Sequence, residues 1–219
     1  MTDTPEKIAL VTGASRGLGS ACAETLARRG YHVIAVARTV GGLEELDDRI
    51  QTAGGSATLA PVDITNEDAL RQICRGIYDR WGRIDLLVHA AIHAPPLAPL
   101  PHMSEKDLDK TLAVNVRATA RLIANVAPLL QASPVGAALF FNDKSKSERF
   151  HGPYGLSKAA QMRMARSWQD ETAKIGPVVH VLTPAPMPTA LRARFYPGED
   201  RSALADPKAE AERLLSEIL

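Results

Sequence analysis

Tyr154 and Lys158, in the run Tyr154-Gly155-Leu156-Ser157-Lys158, are the residues whose types and spacing best suit chemistry. On a helix, a spacing of four puts both side chains on one face. An unperturbed phenol titrates near ~10 and keeps its proton at neutral pH, while a neighbouring ammonium favours the phenolate and draws that value towards working pH. Such a pair can give a proton to a developing alkoxide, or take one back in the reverse direction. A surface helix bearing an ordinary Tyr and Lys has the same spacing, so the pair needs a cofactor site upstream to carry weight.

The N-terminal segment supplies one. Lys7-Ile8-Ala9-Leu10-Val11 is a short apolar run, followed by Thr12-Gly13-Ala14-Ser15-Arg16-Gly17-Leu18-Gly19 and a helical pattern that ends at Arg28-Arg29-Gly30. Strand, glycine turn and helix form the setting a phosphate loop requires. Glycines allow a tight turn and close backbone approach, and the helix offers unpaired N–H groups and the positive end of its dipole to a pyrophosphate. The order Gly13, Gly17, Gly19 departs from the commonest dinucleotide fingerprint.

With TGxxxGxG at the front and YxxxK in the middle, the chain resembles the short-chain dehydrogenase/reductase (SDR) family in its Rossmann-fold branch. Asp63, in Pro61-Val62-Asp63-Ile64, is similar to the family's Asp beside the adenine ring, and Gly82-Arg83-Ile84-Asp85-Leu86-Leu87-Val88 to its strand-four segment. Asn115, in Val114-Asn115-Val116, is similar to the active-site Asn, and Pro184 to Thr189 resembles the loop after strand six. The resemblance implies that Gly13, Ser15, Arg16, Gly17, Leu18 and Gly19 hold the cofactor diphosphate, with Asp63, Ile64, Ala90, Pro184 and Thr189 along the rest of the nucleotide. It implies that Tyr154 protonates the carbonyl oxygen and that Lys158 lowers the pKa of Tyr154 and bonds the nicotinamide ribose. Asn115 would hold a water linking Lys158 to solvent; an Asn facing solvent from the helix is the alternative.

Two departures bear on catalysis. Where the family carries Asn-Ala-Gly after strand four, this chain reads His89-Ala90-Ala91-Ile92, so that Ile92 either crowds the nicotinamide ribose or obliges the loop to move outward. Where the family carries a catalytic Ser about a dozen residues before the Tyr, counting back from Tyr154 reaches Phe141, Asn142 and Asp143. Asn142 could donate an amide N–H to a carbonyl oxygen, whereas an ionised Asp143 could only accept and would disfavour an alkoxide. Ser145 and Ser147 would serve only if the loop were remodelled.

Cofactor choice follows from charge at the end of strand two. An acid there binds the ribose 2′-hydroxyl of NAD, and an Arg accommodates the 2′-phosphate of NADP. The chain has Ala37 where an acid is expected, Arg38 next to it and Arg16 in the glycine loop, which predicts NADP(H) in preference to NAD(H). The resemblance implies a carbonyl compound or alcohol as substrate; Leu97, Phe150, Met187, Leu191, Phe195 and Tyr196 could line an apolar pocket for it, or pack as a lid.

The elements that position these residues alternate along the chain. Strand-like runs at Ile8–Thr12, Tyr31–Ala37, Ala57–Val62, Ile84–His89, Ala137–Phe141 and Val178–Leu182 are separated by helical patterns at Leu18–Arg29, Leu43–Thr52, Glu67–Arg80, Ser104–Leu130 and Tyr154–Lys174. This predicts an α/β protein, a single domain over residues 1–219 with a doubly wound parallel sheet in three α/β/α layers. Asp206-Pro207 starts an amphipathic helix at Lys208–Ile218 where family members continue into a seventh strand, which favours a homodimer built on the helices carrying Asn115 and Tyr154 over a tetramer.

Composition excludes other classes. A net charge of +1 gives no electrostatic footprint for nucleic acid or an anionic membrane, and no apolar run has the length of a membrane span. The first residues lack the apolar core of a signal peptide, so a cytoplasmic protein is expected. Cys22 and Cys74 read as buried thiols, and the six histidines show no metal-ligand spacing, so no metal is expected. Two functions remain open: an NADP(H)-dependent oxidoreductase, and a nucleotide-binding or scaffold protein that keeps the fold with impaired turnover.

Overall fold

The computed structural model describes residues 7–143 and 149–219. Six strands, β1 (Lys7–Thr12), β2 (Tyr31–Ala37), β3 (Ser56–Pro61), β4 (Leu86–His89), β5 (Ala137–Phe141) and β6 (Val178–Leu182), form one sheet in the order β3-β2-β1-β4-β5-β6. Every pairing is parallel. The order reverses between β1 and β4, and in a doubly wound sheet that switch point opens the crevice where a dinucleotide binds.

Alternation along the central strands builds a core on each face of the sheet. Ala9 and Val11 of β1 pack with Leu86 and Val88 of β4 on one side, whereas Ile8 and Leu10 pack with Leu87 on the other. Helices α1 (Gly17–Arg28) and α2 (Val40–Thr52) cover the first face, joined by α8 (Pro207–Ser216), whose Ala211, Leu214 and Leu215 are fully buried there. The second face is covered by α3 (Glu67–Trp81), α5 (Ala118–Gln131) and α6 (Gly152–Thr172), which bring in Cys74, Leu122 and Trp168. Two shorter helices, α4 (Glu105–Leu112) and α7 (Ala190–Phe195), flank the ends of β4 and β6 in sequence.

Local signals place the helix ends. Asn66 caps α3 by accepting from the Ala69 amide at 3.1 Å, and Gly82 ends it in the left-handed conformation at φ 72°. Asp206 caps α8 by accepting from the amides of Lys208 and Ala209, with Pro207 in the first turn.

The single helix expected over Ser104–Leu130 needs correction. It is divided by a π-helical turn at Ala113–Arg117 that separates α4 from α5. A π turn takes one residue more than an α turn and frees carbonyls from the regular ladder. Here the Thr119 hydroxyl donates to the Asn115 carbonyl at 2.8 Å, and Asn115 is fully buried. Hydrophobic periodicity persists through such a turn, so the pattern alone does not reveal it.

Candidate active site

The glycine turn between β1 and α1 is pressed against the end of β4. Gly13 has φ 73°, and a Cβ on it would lie 2.6 Å from the Ala91 nitrogen, so that only glycine fits. A Cβ on Gly19 would lie 2.3 Å from the Gly13 carbonyl oxygen and 3.1 Å from the Ala90 side chain. Ser15 packs against Gly42 of α2, Leu18 against the core, and Arg16 is exposed at the start of α1. The amides of Gly17, Leu18 and Gly19 have no hydrogen-bond partner among the described residues, the helix start has no side-chain cap, and its first turn has no acidic residue. Orphan N–H groups at a positive dipole end fit a pyrophosphate, as a dinucleotide cofactor would require.

Arg38 follows β2, and its Nη1 lies 3.6 Å from Asp63 Oδ2, with both side chains about half exposed. Asp63 Oδ1 accepts from the amide and hydroxyl of Thr65. Burial alone would raise the Asp63 pKa, but the Thr65 hydrogen bonds and the charge of Arg38 outweigh it and hold the carboxyl below its ordinary value. Ile64 turns its side chain into the core, 5% exposed. From the loop after β6, Thr189 reaches the glycine turn: a Cβ on Gly17 would lie 3.4 Å from its methyl carbon. Pro184 is part-buried at the start of the same loop, and α8 braces that loop, with Glu210 accepting from the Ala185 amide at 2.7 Å.

Tyr154 and Lys158 share the start of α6. Tyr154 is 5% exposed and its hydroxyl donates to Asp143 Oδ2 at 2.6 Å. Phe195 of α7 packs edge-on against its ring, with centroids 4.8 Å apart. The expectation that Lys158 lowers the phenol's pKa is corrected here: burial first, then the Asp143 carboxylate, push Tyr154 well above its ordinary value. Lys158 donates instead to Gln161 Oε1 at 2.8 Å, and desolvation pulls its own pKa down to about 8.

Asn142 does not face this hydroxyl. Its amide donates to the Leu182 carbonyl at 2.7 Å, and its side chain donates to the Thr183 hydroxyl at 3.3 Å. Neighbouring residues of extended chain point to opposite sides, so Asn142 and Asp143 cannot both turn to Tyr154. Phe141 is in the core, and Ser145 and Ser147 lie outside the described residues. Asn115 is not turned to solvent: Oδ1 accepts from the His93 amide at 2.7 Å, while Nδ2 donates to the His93 carbonyl and to the Ser157 hydroxyl, both at 2.9 Å. It thereby ties the loop after β4 to α6.

Among the apolar pocket candidates, Phe195 and Met187 are buried, Leu97 and Leu191 are part-buried, and Phe150 is 40% exposed. Tyr196 lies under Arg192, whose guanidinium is 4.5 Å from the ring centroid. Arg194 donates to the Ala94 carbonyl, linking α7 to the loop after β4. Sequence reading missed His151, whose ring is 4.7 Å from Phe195 and 6.5 Å from Tyr154 between centroids. It also missed Thr12, His89, Thr119 and Gln161, which join β1, β4, α5 and α6 in a buried polar cluster. Gln161 sits three residues after Lys158, a spacing that places it on the same helical face.

The family model for short chain dehydrogenases matches residues 7–200. The chain belongs to the short-chain dehydrogenase family, and it is an oxidoreductase by that membership. A short-chain dehydrogenase/reductase of Cladobotryum sp. is 30% identical to this SDR over 192 residues, covering 86% of this chain and 73% of the relative. A solved short chain dehydrogenase from Pseudomonas syringae superposes with a TM-score of 0.87 at 28% identity, covering 95% of this chain and 87% of its own. A metagenomic short-chain oxidoreductase solved in complex with NADP gives a TM-score of 0.83 at 27% identity, covering 97% and 90%. Among the described residues, no helix of the SDR chain is long and apolar enough to cross a membrane.

Proposed function

We propose that this SDR interconverts a carbonyl compound and its alcohol using NADP(H), with Tyr154 as the general acid and base. The observation that carries the reading is the continuity between the two halves of the site. Asn115 ties α6 to the loop after β4, and Ala90 and Ala91 of that loop abut the glycine turn with its unpaired amides. A bound reduced nicotinamide would supply the hydride. Tyr154 would give its hydroxyl proton to the carbonyl oxygen, and Lys158 would hold the ribose. Gly13, Ser15, Arg16, Gly17, Leu18 and Gly19 would bind the diphosphate, and Asp63, Ile64, Ala90, Pro184 and Thr189 would line the remainder.

The preference for NADP(H) over NAD(H) rests on Arg38 beside Ala37, and the NADP complex of the metagenomic neighbour supports it. Asp63 pairs with Arg38, but an ion pair this exposed is worth little, and a phosphate would displace it. Arg38→Ala should weaken NADP(H) binding by about 10- to 100-fold, the loss of one charged hydrogen bond, with NAD(H) unaffected. Titration of the purified protein with both nucleotides checks this, and tighter binding of NAD(H) than NADP(H) to the native chain would overturn it.

A homodimer through the outer faces of α5 and α6 belongs to the same reading. Ala120, Ile123, Met164 and Trp168 line a shallow depression between those helices. Light scattering should give twice the chain mass; a tetramer counts against this arrangement.

One observation favours the second reading, a nucleotide-binding protein with impaired turnover. The Tyr154 hydroxyl is engaged by Asp143 and its ring is covered by Phe195. Under that reading the nucleotide binds without its nicotinamide becoming ordered beside Tyr154.

A further inference from the structure

A polar chain runs through the second core from the glycine turn to Lys158. Thr12, the residue before Gly13, has its hydroxyl 2.7 Å from His89 Nδ1, and the two residues are also register partners in β1 and β4. His89 Nε2 lies 2.9 Å from the Thr119 hydroxyl and 3.2 Å from Gln161 Nε2. Gln161 Nε2 also donates to Thr119 Oγ1 at 3.0 Å, and Gln161 Oε1 accepts from the Lys158 ammonium at 2.8 Å. Thr12 and Thr119 are fully buried, and Gln161 and His89 are 2% and 3% exposed. Buried polar groups of this kind rigidify a site when every member is satisfied.

Donor and acceptor chemistry fixes the direction of the chain. An ammonium has three donors and no acceptor, so the carboxamide must turn its oxygen to Lys158 and its NH₂ to Thr119 and His89. A doubly protonated His89 would set an N–H against that NH₂. Burial, then the charge of Lys158, hold the His89 pKa down to about 3, which keeps the ring neutral and able to accept.

We propose that Gln161 is a positioning residue for Lys158: its carboxamide, anchored by Thr119 and His89, holds the ammonium on the α6 face that carries Tyr154. The role of Lys158 in turnover rests on the function proposed above; its placement by Gln161 does not. Of the charged and titratable groups around Lys158, Asp143 favours the ammonium, His89 is neutral, and Tyr154 sits one turn away on the same helix. Gln161 therefore supplies a hydrogen bond that favours the charged form, in a place where desolvation opposes it.

The test is the titration of Lys158 in the full chain, followed by NMR of lysines labelled at the ε-carbon and assigned with Lys158→Met. In the native protein the midpoint should fall near pH 8. Gln161→Leu should move it down by about one to two units, the loss of a hydrogen bond to a charged group. Gln161→Glu should move it up by about one unit or more, since a carboxylate would then face the ammonium. Thr119→Val, close to the native side chain in shape, should shift it down by less than Gln161→Leu, and serves if Gln161→Leu does not fold. Midpoints unchanged in Gln161→Glu and Thr119→Val would overturn the proposal. If the midpoints move as stated while the pH dependence of NADP(H) binding stays put, the placement by Gln161 stands and the assignment of Lys158 to the ribose fails.

Discussion

Asp143→Ser is expected to reduce carbonyl compounds about 10²- to 10³-fold faster than the native chain, the factor associated with one oxyanion donor. In the native site the Tyr154 hydroxyl gives its hydrogen bond to Asp143 Oδ2. A carboxylate accepts and cannot donate, so it competes with substrate for the phenol's proton and offers nothing to a carbonyl oxygen on which negative charge develops. Ser in its place would release the phenol and provide an O–H donor. Removing the carboxylate also removes one of the causes that raise the Tyr154 pKa, leaving burial. NADPH oxidation against a panel of carbonyl compounds measures the effect. A slower Asp143→Ser variant would mean that the native reaction uses the carboxylate, for instance to take the proton of an alcohol through Tyr154.

Tyr154→Phe is expected to lower turnover by about 10²- to 10⁴-fold, the contribution of a general acid, while nucleotide binding persists. The substitution keeps the ring that packs against Phe195 and His151, so the fold of α6 and α7 should be preserved. Binding persists because the groups assigned to the nucleotide lie in the glycine turn, the first turn of α1 and the segments after β2, β3, β4 and β6, apart from Lys158 one turn along α6. Turnover equal to the native rate would show that another group is the acid.

The fold was legible because its signals are local and repeated. Lys7–Thr12 alternates Ile8 and Leu10 to one core with Ala9 and Val11 to the other, and the glycine turn at Gly13 to Gly19 has no alternative geometry once packed against Ala90 and Ala91. The Tyr154–Lys158 spacing was legible for the same reason, as both lie in one helix. What escaped depends on contacts between distant segments. Nothing near Asn115 signals a π turn, and the partners its side chain finds there, the His93 backbone and Ser157, are distant in sequence. Lys158 was expected to lower the Tyr154 pKa, but burial of the phenol first, and then Asp143 just past the end of β5, push it the other way. The departure after strand four was read at Ala90 and Ile92, whereas their neighbour His89 is in three dimensions a hub between Thr12, Thr119 and Gln161.

The proposed chemistry requires Tyr154 to face the reactive ring of a dinucleotide held by the first turn of the fold. A crystal structure of the native chain with NADP⁺ tests it most directly. The complex should show the pyrophosphate on the amides of Gly17 to Gly19, Phe195 displaced from its contact with Tyr154, and an ordered nicotinamide beside the phenol hydroxyl. A nucleotide bound at the glycine turn with its nicotinamide excluded by Phe195 or Ile92, and the Tyr154–Asp143 hydrogen bond intact, would contradict it.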